Sequence, residues 1–186
     1  MKLRFSVFVM ALLMLAFSGA EASASPWIHA HRAGPLENGS AAMPENSIPA
    51  FRQSASRGFL LEADVKLTSD QIPVVIHGGT RDRTPTCSGP VSSKTAAELA
   101  SQCEIDVIGI DDETIDLPAG DERRTGIPTL SAFLDLLKQT GAVANIEIKN
   151  LPIDNDWDPT YDYAETVANH IEAAGVPSSQ LIIQSF

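Results

Sequence analysis

Leu60-Leu61-Glu62-Ala63-Asp64-Val65 reads as a strand with two carboxylates on one face. Side chains alternate across a strand, so Glu62 and Asp64, two apart, point the same way. Two neighbouring carboxylates in a core repel each other and lose hydration unless positive charge compensates. Outward from this strand, short apolar runs alternate with helical patterns. Residues 27–31 are expected as a first strand, 47–57 as a helix stopped by Gly58, 60–67 as the second strand and 72–77 as the third. Thr95-Ala96-Ala97-Glu98 has the form of a capping box opening a short helix toward Cys103. Residues 104–126, acidic and rich in turn formers, read as a long surface loop.

Downstream, residues 129–139 place Leu130, Phe133, Leu134 and Leu137 on one helical side, with Gly141 as the stop. Residues 143–149 form a strand, 161–174 a helix and 181–186 a further strand. Strands alternating with helices of this length imply a parallel α/β sheet, without a meander of hairpins. No Gly-x-Gly-x-x-Gly follows the first strand, so a dinucleotide fold has no support. An apolar strand at 181–186 would leave an open sheet edge, and an eight-stranded parallel barrel takes about 250 residues. A chain of 186 residues is therefore expected to be the N-terminal portion of a longer one.

Lys2 and Arg4 precede a 13-residue, largely apolar run from Phe5 to Phe17, shorter than the roughly 20 residues that span a bilayer. Ala20-Glu21-Ala22 and Ala22-Ser23-Ala24 both fit a leader-cleavage pattern. Residues 1–24 are expected to be a secretory signal peptide and 25–186 the exported domain, periplasmic or extracellular; the alternative is an uncleaved anchor. The net charge of −11 repels nucleic acid and anionic membrane surfaces, so neither is expected as a partner. It also repels an anionic substrate unless a cation sits in the site. Cys87 and Cys103, an even pair in an oxidising compartment, favour one disulfide over two free thiols.

Four places carry polar groups where a parallel sheet buries apolar ones. Glu62 and Asp64 are the first. Asn145, Glu147 and Lys149 alternate with Ala144, Ile146 and Ile148, and Glu147 supplies a third carboxylate. Oxygen-only ligands suit calcium or magnesium. His31 and His77 end the first and third strands, where sites assemble in parallel α/β folds, and imidazoles are tuned for proton transfer near neutral pH. His29 shares a face with His31 and is expected to fill a lower layer. His170 is expected on an exposed helical face, and Asp111-Asp112-Glu113 in a solvated loop.

At these residues the sequence resembles the glycerophosphodiester phosphodiesterase family. His31-Arg32-Ala33-Gly34 is similar to its His-Arg-Gly opening with one inserted residue, and Pro44-Glu45-Asn46-Ser47 with Ala50-Phe51 to its Pro-Glu-Asn-Thr segment. Glu62-Ala63-Asp64-Val65 with Thr68 and Asp70, Asp82-Arg83-Thr84, Ile127-Pro128-Thr129-Leu130, Asn145-Ile146-Glu147-Ile148-Lys149 and Gln184-Ser185-Phe186 follow in the family's order. The resemblance implies the N-terminal portion of a parallel (β/α)8 TIM-type barrel. It implies a divalent cation, Ca2+ or Mg2+, on Glu62, Asp64 and Glu147, with His31 and His77 as the acid–base pair. Arg32 would contact phosphate, with Glu45 and Lys149 supporting the site. The implied substrates are glycerophosphodiesters, cleaved to glycerol 3-phosphate and an alcohol.

Two positions depart from that pattern: Gly78 stands where the family has Asp after His, and Arg81 where an apolar residue is common. A metal amidohydrolase-like barrel using His29 and His31 as ligands is an alternative. A degenerate barrel that binds a phosphodiester without cleaving it is another.

Overall fold

In the computed structural model the alternating run at residues 60–67 is a single eight-residue strand, every residue of it buried. The structure describes residues 26–186 except 35, 38–39, 79–85, 106, 109–113, 116, 155 and 186. The expected leader, Arg81, Asp82-Arg83-Thr84, Asp111-Asp112-Glu113 and Phe186 thus lie outside the described residues.

In chain order, β1 (His29–Ala30) leads through a short 3-10 turn to β2 (Leu36–Glu37) and β3 (Ser40–Ala41), then α1 (Ile48–Ser56) and β4 (Leu60–Leu67). Next come β5 (Pro73–Val75), α2 (Ala96–Gln102), β6 (Glu104–Ile105), β7 (Val107–Ile108), β8 (Thr114–Ile115) and β9 (Thr125–Gly126). The described part closes with α3 (Leu130–Thr140), β10 (Ala144–Ile148), α4 (Asp162–Ala174) and β11 (Leu181–Ser185). Strands β1, β4, β10 and β11 pair in parallel in that order, the (β/α)-barrel class expected, as an open sheet with β1 and β11 at its parallel edges.

The starts of α1, α2 and α3 follow side-chain capping. Ser47 and Thr129 cap α1 and α3 by accepting from Ala50 N and Ala132 N, and Thr95 with Glu98 forms the expected capping box on α2. Each cap satisfies an amide with no partner inside the helix and contributes about 1 kcal/mol. Gly141 and Gly175 end α3 and α4 with φ of 71° and 66°, the left-handed region that glycine enters without strain.

Leu61, Ala63, Val65 and Leu67 of β4, with Ala144, Ile146 and Ile148 of β10, face α1, α3 and α4 in one apolar layer. Phe51 and Phe133 meet there with ring centroids 4.3 Å apart. A second, smaller cluster joins Val74, Ile76, Leu99, Ile105 and Ile127, stapled by the Cys87–Cys103 disulfide. That disulfide matches the expected pairing.

Four expectations are corrected. The first strand is only two residues long, because Arg32, Ala33 and Gly34 take positive φ (50°, 80° and 57°) and turn the chain out of the sheet. The third strand runs antiparallel to β4, pairing Val65–Leu67 with Pro73–Val75. A parallel neighbour would need a crossover of about a dozen residues, whereas here Thr68 Oγ1 donates to Ile72 O (2.9 Å) and accepts from Ile72 N (3.0 Å) across a tight turn. Residues 104–126 are not simply a surface loop. They contain β6 to β9 in two antiparallel pairs, with Ile105, Val107, Ile108 and Leu117 buried. Their apolar residues are too few to show a period, yet enough to pack. Finally, His29 is exposed rather than filling a lower layer, and His170 is half-buried rather than exposed.

Replacing Phe133 by Ala is expected to cost about 3–5 kcal/mol in denaturant unfolding. Ile183→Ser on the exposed face of β11 should stay within about 0.5 kcal/mol. Equal losses would mean that the helix-facing layer is not the principal core.

Candidate functional site

The register of β10 on β4 sets Asn145 beside Glu62 and Glu147 beside Asp64. Because the intervening apolar residues face the helices, these polar ones face the other way together. Glu62, Asp64 and Glu147 are all buried, and one carboxylate oxygen from each lies within 4.8 Å of the others. The three sequence-predicted acids therefore converge on one point. Among the described residues no other set of acids, cysteines or histidines comes together in this way.

Positive groups close around them from two sides. Arg32 N donates to Glu62 Oε2 at 2.7 Å, and its guanidinium Nη1 donates to Glu45 Oε2 at 3.0 Å. Arg32 Nε lies 3.7 Å from Asp64 Oδ2. Lys149 Nζ sits 3.2 Å from Asp64 Oδ1 and 3.3 Å from Glu147 Oε1. Those two oxygens are buried and make no well-formed hydrogen bond among the described residues. Spare lone pairs on hard, converging oxygens are the donor set that a calcium or magnesium ion takes. Glu62, Asp64 and Glu147 could thus hold such an ion.

His77 is half-buried, and Arg32 Nη2 lies 2.8 Å from its Nε2. A guanidinium has no acceptor, so Nε2 must accept and the ring proton belongs on Nδ1. Burial, with help from Arg32 and Lys149, pushes the imidazole down to about 4, against the pull of Asp64 and Glu45. It is neutral at pH 7. Burial, then Asp64, push the Glu62 carboxyl up to about 7, with Glu147 adding and Arg32 N–H and Lys149 opposing. His31 is exposed at the start of the turn that carries Arg32. His29 and His31 join no cation-holding group among the described residues.

Asn46 belongs to the site, although its sequence segment gave it no role. Its Nδ2 donates to Asp64 Oδ2 (2.9 Å) and its Oδ1 accepts from Asp64 N (3.3 Å), while Asn46 N donates to Arg32 O (3.0 Å). Its φ of 54° is one that Asn tolerates better than most residues. An Asn beside a helix cap reads as turn chemistry, which is why its second task was not legible. Gly78, the departure after His77, has φ of 89°, where a side chain such as Asp would be strained.

A family model described as the glycerophosphoryl diester phosphodiesterase family matches residues 31–186. A glycerophosphodiester phosphodiesterase 1 of Rattus norvegicus is 42% identical over 71 residues, covering 38% of this chain and 20% of that protein. A glycerophosphodiester phosphodiesterase of Caldanaerobacter subterraneus is 35% identical over 114 residues, covering 58% and 41%. The crystal structure of a glycerophosphodiester phosphodiesterase from Agrobacterium tumefaciens is similar with TM-score 0.60 and 27% identity, over 87% of this chain and 58% of that one. The chain spans less than two thirds of the length of each of these relatives.

The two shifted groups give opposite signs in one pH window. Glu62 binds its proton more tightly folded than unfolded, so its favourable contribution is complete below about 4.5 and is lost as pH rises through about 7. His77 contributes above 6.5 and loses that contribution as pH falls toward about 4. In chelator-treated protein, Glu62→Gln should therefore gain on the wild type in Tm as pH rises across this window. His77→Asn should gain as pH falls. Differences that stay flat from pH 4 to 8 would show both groups to be unperturbed.

Proposed function

The chain belongs to the glycerophosphoryl diester phosphodiesterase family, and from that premise we propose that its site hydrolyses glycerophosphodiesters to glycerol 3-phosphate and an alcohol. The observation that carries the proposal is the convergence of the buried carboxylates of Glu62, Asp64 and Glu147 beside Arg32, Lys149 and His77. A protein of net charge −11 needs local positive potential to admit a phosphodiester, and this is where positive groups gather.

A calcium or magnesium ion on the three carboxylates would supply neutralisation of phosphate charge. The chain's own groups do the rest. Arg32, steered by Glu45, presents its guanidinium to the phosphate oxygens and stabilises charge that grows on them in the transition state. Moving that guanidinium onto phosphate frees His77 Nε2, which then takes a proton from the nucleophile, either water or the glycerol 2-hydroxyl. That nitrogen carries a lone pair and no proton, so it is placed to accept rather than to donate, and withdrawal of the guanidinium removes one of the charges that lower its basicity. His31, exposed at the rim, protonates the leaving alcohol oxygen. Lys149 holds Asp64 and Glu147 in register.

The exported location belongs to the same proposal: the Cys87–Cys103 disulfide suits an oxidising compartment. An amidohydrolase-like site on His29 and His31 finds no support, since both imidazoles are exposed and neither joins the acid cluster.

Release of glycerol 3-phosphate from a glycerophosphodiester, with and without chelator, tests the proposal. Chelator should stop turnover and calcium or magnesium should restore it. His31→Ala and His77→Ala should each lower kcat by roughly 10²–10⁴-fold with the fold retained. Substrate binding with no turnover in the wild type would instead favour a degenerate, non-catalytic barrel.

A further inference from the structure

One buried charge on the inner face of β4 plays no part in the site above. Lys66 follows Glu62 and Asp64 at the same two-residue spacing, and its side chain is 0% exposed. An ammonium taken wholly out of water needs close anionic partners. Lys66 Nζ donates to Asp154 Oδ2 at 2.5 Å and to Asp156 Oδ1 at 3.3 Å. Both acids lie in the loop that leaves β10.

That loop has a second peculiarity. From Asp154 to Glu165, acids stand at Asp154, Asp156, Asp158, Asp162 and Glu165, the first, third, fifth, ninth and twelfth positions. This is the acid spacing of a twelve-residue calcium loop, with Pro159 where such loops carry glycine. As in those loops, the last acids fall in the first turn of the following helix, α4. The base of the loop is closed by two bonds, Asn150 Nδ2 to Asp158 O (2.7 Å) and Asp158 N to Asn150 Oδ1 (2.9 Å).

What the first two acids surround is an ammonium, and it does not use all they offer. The Asp156 side chain is 4% exposed, yet its Oδ2 has no hydrogen-bond partner among the described residues. Asp156 also lines a cavity of about 100 Å³ together with Thr68, Asp158 and Tyr163. Asp158 is turned to Thr160, accepting from its N at 2.8 Å and its Oγ1 at 2.7 Å. With Lys66 between Asp154 and Asp156, these acids do not draw together as closely as Glu62, Asp64 and Glu147 do.

We infer that Lys66 serves as the built-in cation of the Asp154–Asp158 loop: its ammonium stands where a calcium ion would stand and holds the loop without metal. Taking the ammonium away then uncovers a calcium site formed by Asp154, Asp156 and Asp158. One ammonium offsets only one of the two carboxylates it touches, and Asp156 Oδ2 is left as a ready ligand. Nothing in the inference depends on the phosphodiesterase activity.

The experiment works in a Glu62→Gln/Glu147→Gln background, which removes the other acid cluster. Calcium binding is followed by calorimetry and by terbium emission sensitised through Trp157. With Lys66 present, this background should bind no calcium. Adding Lys66→Met should create one site per chain, with a Kd of about 10⁻⁴–10⁻³ M, and a Tm that rises with calcium. Asp156→Asn should remove that site, and Lys66→Arg should not create it. Calcium bound with Lys66 in place and lost on Asp156→Asn would overturn the inference, as would a Lys66→Met protein that binds none. If Lys66→Met fails to fold, adding Asp154→Asn and Asp156→Asn should restore folding by removing the unpaired acids. Failure to restore it would equally count against Lys66 as their counter-ion.

Discussion

The register between β4 and β10 is the constraint from which the rest of the site follows. Leu61, Ala63 and Val65 on one strand and Ala144, Ile146 and Ile148 on the other are held against the helices by their apolar surface. With those faces committed, Glu62, Asp64, Asn145 and Glu147 have nowhere to point but inward. A slip of one residue would bury the carboxylates against α3 and expose the core. Hydrophobic burial on one side of the sheet thus decides where charge gathers on the other.

Charge gathered in this way has to be offset, and the chain does so with a strained turn. Arg32 reaches Glu62 through its backbone amide and Glu45, Asp64 and His77 through its guanidinium. It can do so only because residues 32–34 all adopt positive φ, a conformation that costs energy at Arg32 and Ala33. Local bonds hold the turn in place. Asn46 N donates to Arg32 O, and the Ser54 hydroxyl donates to Ala33 O. The first strand is short for this reason, and a strand continued through residue 33 would have carried Arg32 past the carboxylates.

Strand β4 therefore carries a sequence of charges along one face. Two carboxylates sit level with β10, and an ammonium follows where the loop after β10 returns across the strand end. Tyr163 fastens the same strand end from the helix side, accepting from Leu67 N at 3.0 Å, and burial pushes its phenol up. The acid pair meets cations from other elements, and the ammonium meets acids from the loop, so these buried charges on β4 are met from other parts of the chain. Removing Lys66 would leave Asp154 and Asp156 without the cation they share, which is more costly than never having had the pair.

Much of this was legible in the amino-acid order. Period two along residues 60–67 and 144–148 made strands of them, Ser47, Thr95 and Thr129 marked helix starts, and the spacing of Glu62, Asp64 and Glu147 put the three acids on inner faces. These are local properties, set by side-chain alternation and capping chemistry. What the sequence could not decide was which strand lies beside which, since pairing depends on the geometry of the connections. The turn at Thr68–Ile72 made β5 antiparallel, positive φ at Arg32 cut β1 short, and few, unperiodic apolar residues hid the small strands between 104 and 126. The order of residues determined that this chain builds a parallel α/β sheet with acids on its inner face. Tertiary structure decided that Asn46, Arg32 and Lys149 close on those acids while Lys66 turns to a distant loop, because a charge chooses its partner only after the backbone has brought candidates within reach.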